Sequence, residues 1–223
     1  MTVSVHTEHN VHLSKVAPWW EILFVMFFSL GITLIFPSLK IIGILIPVGY
    51  IIIERHLRGR TWIEIGFNLH SIPTGLRNNL GWVLLVGLGL QALAVFSSFF
   101  FLPAYFNHLV ARIPFDIGTL SIGLFIALGI STLGEEIIYR ALFQDRIAAF
   151  LPSAAAILLS SLVFALMHFS TGPALIVIFD LLSVFMDSTI FGIIYQRSHN
   201  VFVAWIAHFL ADIIAIFFLL LVK

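Results

Sequence analysis

The chain has 223 residues, of which 61% are hydrophobic and only 10% charged, and its mean hydropathy is +1.10. Soluble domains average about 45–50% apolar and about 25% charged residues, so a water-soluble globule is excluded. The formal net charge of zero gives no basic surface for nucleic acid, and the absence of cysteine removes disulfides, thiol nucleophiles and thiolate ligands.

The apolar runs are read in chain order as membrane spans, each needing about 20 residues. Met1 to Pro18 has no apolar h-region, so no cleavable signal peptide is expected. Spans are expected at Trp19–Phe36, at Leu39–Ile53 with Pro47 inside, and at Leu80–Leu102. Four more follow at Ile117–Tyr139, Ser153–His168, Ala174–Gln196 and Val201–Val222. The fold class is therefore all-α, a polytopic transmembrane helical bundle of about seven spans, eight if one is broken. Residues 1–115 are taken as N-terminal spans plus a polar connection, and 116–223 as the catalytic core of one compact domain. The connection from Glu54 to Asn79 reads as an interfacial segment. It carries Arg55, Arg58, Arg60 and Arg77, on the same side as Lys15, Arg146 and Arg197. Lys40, Arg112 and Lys223 fall on the other side. The positive-inside rule then puts the amino terminus in the cytoplasm and the carboxyl terminus outside. An integral protein of a bacterial inner (plasma) membrane is expected, in contact with the lipid bilayer.

Charges inside such spans are costly and usually functional. Glu135 and Glu136 stand together, followed by Arg140. Glu136 and Arg140 are four apart and share a helix face, in the better order for an ion pair. Glu135 is rotated by about 100° and is left free. Phe164 and His168 share a face, as do His208 and Asp212, so Asp212 can accept a hydrogen bond from His208. A turn at Leu151 and Pro152 folds the chain so that Glu135 and His168 come level. A turn at Ser198 to Asn200 leaves His208 at a depth of roughly 13 Å. Gln144 to Phe150 is expected to project into the cytosol, and the three motifs to converge near the cytoplasmic face. His168 is followed by Thr171, Gly172 and Pro173, irregular backbone that lipid tolerates only inside protein or beside a water-filled cavity. Asp180 and Asp187 share a face of the sixth span; the sequence leaves open whether they line a groove or are solvated.

Glu-Glu-x-x-x-Arg, then Phe-x-x-x-His, then His-x-x-x-Asp, each on an apolar helix, resembles the CAAX-protease and bacteriocin-processing family, which includes the type II prenyl-protein endopeptidases. The resemblance runs from about Leu120 to Asp212 and includes the stretches Arg140 to Gln144 and Phe191 to Arg197. It implies an intramembrane endopeptidase acting on a membrane-associated peptide or protein, prenylated or not. Peptide hydrolysis needs an activated water and a stabilised oxyanion. Glu135 with His168 can hold and deprotonate water, and His208 can meet the oxyanion. Asp212 would orient His208 and stabilise its charged form. Glu136 and Arg140 support the helix as an ion pair, and Phe164 packs beside the site. The helical zinc signature His-Glu-x-x-His is absent, and no tightly bound metal is expected. The alternative is Zn²⁺ held by Glu135, His168, His208 and Asp212. Two other functions stay open at this point: a non-catalytic immunity or scaffold protein, which loss of a motif residue would mark, and an ion-coupled transporter, which matching broken helices would mark.

Overall fold

In the computed structural model of the protein, residues 17–113 and 121–222 are described, and among them all regular structure is helical. The helices are α1 (Trp19–Ile35), α2 (Lys40–Leu57), α3 (Ile72–Asn78), α4 (Leu80–Phe101) and α5 (Pro103–Arg112). They are followed by α6 (Ile122–Ile147), α7 (Ser153–Met167), α8 (Ala174–Ser198) and α9 (Val201–Val222).

Four of these, α4, α6, α8 and α9, are long and apolar enough to cross a membrane. The expected count of seven spans is not reached by that measure. With 17 and 15 residues, α1 and α7 are shorter apolar helices outside that measure, and α2 carries Lys40, Glu54 and Arg55. The start expected for the fourth span, at Ile117, lies outside the described residues.

The distribution of polarity is that of a lipid-solvated protein. Large apolar side chains such as Phe27, Phe101 and Ile122 face outward, at 73%, 79% and 81% exposure. Glu136, Arg140, Gln144, Ser160 and Ser188 are buried at the centre. With lipid outside, apolar residues gain nothing by turning inward, so polar contacts between helices select the packing. In the bundle, α9 packs against α4, α6 and α8, while α7 pairs with α8 and α1 with α2.

Of the stretch Gln144 to Phe150, expected to project, Gln144, Arg146 and Ile147 are buried while Ala149 and Phe150 are exposed. Helix α6 continues to Ile147, and Arg146 is fully buried. Its Nη2 donates to Glu54 Oε2 of α2 at 2.7 Å, and its Nη1 donates to Asp145. Breaking such a buried pair leaves an uncompensated charge, so the segment stays docked. The turn expected at Ser198 to Asn200 is present, with His199 in the left-handed region at φ 43°. Asn200 Nδ2 donates to Asn68 O at 2.6 Å and to Ser71 Oγ at 2.9 Å, and Val201 N donates to Gly66 O at 2.8 Å. These bonds dock the Glu54–Asn79 connection onto the start of α9.

Candidate active site

Helix α6 changes character where the polar residues begin. An α-helical stretch ends at Glu136 and passes into a π-helical segment, Ile137–Gln144. Such segments re-aim side chains and recur at functional sites. Here the widened turn presents Arg140 to four neighbours. Its Nε donates to Glu136 Oε2 at 3.1 Å, Nη2 to Ser188 Oγ at 2.7 Å, and Nη1 to Ser160 Oγ and Gln144 Oε1, each at 3.4 Å. Gln144 Nε2 in turn donates to Gly192 O at 2.9 Å. The ion pair expected between Glu136 and Arg140 is therefore the hub joining α6, α7 and α8. Ser160, Ser188 and Gln144 were not singled out from sequence. Single small polar residues in apolar runs are common, and only the guanidinium at the hub gives these their role.

Glu136 has a second partner. His208 Nδ1–H donates to Glu136 Oε1 at 2.9 Å. Asp212, expected to orient His208 and stabilise its charged form, lies 3.9 Å from Nε2, within ion-pair range but too far for a hydrogen bond. Nδ1 faces α6, whereas Asp212 stands one turn further along α9 on the Nε2 side.

Glu135 is not part of this hub. Its Oε2 lies 3.9 Å from His168 Nε2 and 3.9 Å from His208 Nε2. Ser131 Oγ, one turn earlier, lies 3.5 Å from its other oxygen. His168 caps the end of α7 and donates from Nδ1 to Phe164 O at 2.9 Å, because a carbonyl only accepts. That bond turns Nε2 toward Glu135. Phe164 stacks on His168 at 4.4 Å between centroids and meets His208 edge-on at 5.7 Å. Phe191 stacks on His208 at 4.5 Å. Two aromatic rings thus fix both imidazoles. Phe191 was visible in sequence only as part of a longer stretch.

Glu135, His168, His208 and Asp212 line one cavity of about 310 Å³. Asp180 and Asp187 line it too. Asp180 is ion-paired with Arg112 of α5 at 2.5 Å, and Gln91 Nε2 donates to Asp187 Oδ2 at 3.0 Å. Its lining extends past Asp212 to Leu219 and past Asp187 to Asp180 and Arg112.

Residues 116–214 match the family model described as type II CAAX prenyl endopeptidase Rce1-like. The match covers a little under half of the chain and spans all three motifs, so this part of the chain is similar to that family. No curated protein and no solved structure matches.

Zinc in this cavity would need donors about 2.0–2.2 Å from the ion, and so roughly 3.4 Å from one another in a tetrahedral site. The gaps from Glu135 to both histidines, and from His208 to Asp212, are 3.9 Å. Among the described residues no group of three or more His, Asp or Glu side chains is arranged to hold a metal ion. The side chains as placed do not fit zinc.

Proposed function

We propose that the protein is an intramembrane endopeptidase that hydrolyses a membrane-associated or prenylated peptide with water activated by Glu135 and His168. The observation that carries this reading is the position of the Glu135 carboxylate, 3.9 Å from the Nε2 atoms of two histidines in one cavity. Such gaps are too long for direct hydrogen bonds and suit a water bridging the groups. The protease-family match over the same residues supports it.

In the reaction, water hydrogen-bonded to Glu135 and His168 Nε2 loses a proton to the Glu135 carboxylate as its oxygen adds to the scissile carbonyl carbon. The carbonyl oxygen becomes an oxyanion and accepts a hydrogen bond from Nε2–H of protonated His208. Glu136, holding Nδ1, keeps that donor aimed. The C–N bond then breaks, and Glu135 returns its proton to the departing amine. General acid–base help of this kind is worth about 10²–10⁴ in rate.

The test is cleavage of a fluorogenic prenylated peptide by the purified protein in liposomes. Turnover by the wild type that is lost in Glu135→Gln supports the reading. No turnover of any prenylated or membrane-anchored peptide, or equal turnover by Glu135→Gln, overturns it.

A further inference from the structure

From the geometry we infer that Arg55, stacked on Trp62 at the end of α2, is a binding site for the phosphate of an anionic phospholipid headgroup. The site lies outside the cavity and stands apart from the peptidase reading.

Arg55 stands out from Arg58, Arg60 and Arg146 in having no acidic partner among the described residues. Arg58 Nη2 donates to Glu21 Oε2 at 2.9 Å, and Arg60 Nη1 lies 3.5 Å from Glu54 Oε1. Arg146 donates to Glu54 and to Asp145. The carboxylates of Glu21, Glu54 and Asp145 are thereby taken. Arg55 makes no ion pair and no side-chain hydrogen bond among the described residues, and its Nε is buried without a partner. A cation partly stripped of water and left unpaired attracts an anion more strongly than a fully solvated one.

Trp62 sets how that anion is met. Arg55 Cζ lies 4.5 Å from the centre of the Trp62 ring, within cation–π range. Stacking occupies a flat face of the guanidinium and leaves its in-plane N–H fork for a second partner. With Nε buried, Nη1 and Nη2 are the donors left, and the oxygens of a phosphate match them.

The surroundings identify the source of the phosphate. Ile52, Ile53 and Leu57 of α2, and Trp62 and Ile63 after it, are exposed apolar side chains. In a membrane such a surface is covered by acyl chains, and a tryptophan at its polar edge stands at the headgroup level. An arginine stacked on that tryptophan meets lipid phosphate rather than a soluble anion. A zwitterionic headgroup brings its own ammonium to offset the phosphate, whereas an anionic one does not, so the unpaired charge selects the anionic lipid. The rest of the Glu54–Asn79 connection has the same sign. It carries four arginines against Glu54 and Glu64, with Arg77 exposed on α3.

The experiment places the full chain in phosphatidylcholine nanodiscs. Phosphatidylglycerol or phosphatidylcholine with the same brominated acyl chains, which quench nearby tryptophan, is then added in steps. The Trp62 signal is the difference between the wild type and Trp62→Phe. Half-maximal quenching should need about fivefold less brominated phosphatidylglycerol than brominated phosphatidylcholine, the factor expected of one arginine at an anionic surface. Arg55→Gln should remove the preference, and Arg55→Lys should keep part of it. Inorganic phosphate in the buffer should leave the quenching unchanged. Equal quenching by the two lipids in the wild type, or an undiminished preference in Arg55→Gln, overturns the inference. Displacement of the lipid by inorganic phosphate overturns it too, in favour of a site for the free anion. If Arg55→Gln fails to fold, Arg55→Lys decides: a reduced preference supports the guanidinium clamp, and a full one overturns it.

Discussion

Glu136 on α6 and His208 on α9 are 72 positions apart in the chain and 2.9 Å apart in the fold, joined by the Nδ1–H to carboxylate hydrogen bond. The same carboxylate receives Arg140 Nε, so one buried side chain couples the structural hub to the imidazole of the site. Glu136→Ala should therefore damage both stability and turnover, whereas Asp212→Asn, with its carboxylate 3.9 Å from His208, should cost less activity. Side-by-side kcat and melting measurements on the two variants check this. A larger loss in Asp212→Asn would return the orienting role to Asp212.

Stability should separate the adjacent glutamates. Removing either member of the Glu136–Arg140 pair, both fully buried, strands a charge at a cost of about 3–5 kcal/mol. Glu136→Ala and Arg140→Ala should melt well below Glu135→Ala, whose side chain is 23% exposed to the cavity. Thermal unfolding in detergent measures the order; three equal melting temperatures would refute the assignment.

Catalysis should depend on the histidines as well as on Glu135. His168→Ala and His208→Ala should each lower kcat/KM by about 10²-fold or more, the scale of a lost acid–base or oxyanion group. Glu135→Ala should insert, fold and be inactive. Retention of near-wild-type turnover in either histidine variant removes that residue from the mechanism.

Metal content gives an independent readout. Purified protein should hold less than one zinc per chain and keep its activity after dialysis against chelator. Elemental analysis showing one zinc per chain, with activity lost on stripping and regained on zinc addition, would require the side chains of the cavity to close around an ion.

Orientation can be measured without background, because the chain has no cysteine. Ala149 and Ala111 are both exposed, near opposite ends of the bundle. Under the positive-inside rule, Ala149→Cys should react with a membrane-impermeant thiol reagent only in inverted vesicles, and Ala111→Cys only from outside intact cells. Reversed labelling would invert the orientation.

Local spacing in the sequence determined a good deal. Apolar runs determined the helices, since lipid leaves backbone polar groups no other partner. The four-residue interval determined that Glu136 pairs with Arg140 and that Glu135 is left free, because helix periodicity alone sets which side chains share a face. Contacts between helices were decided only by the tertiary structure. His208 turns to Glu136 rather than to its sequence neighbour Asp212 because ring orientation depends on the helix it faces. Asp180, undecided in sequence, is buried against Arg112, 68 positions away. The burial of Arg146 was likewise out of reach of helix counting. Arg146 reads as a solvated cytoplasmic charge until Glu54, 92 residues earlier, is found beside it, burying it between two helices.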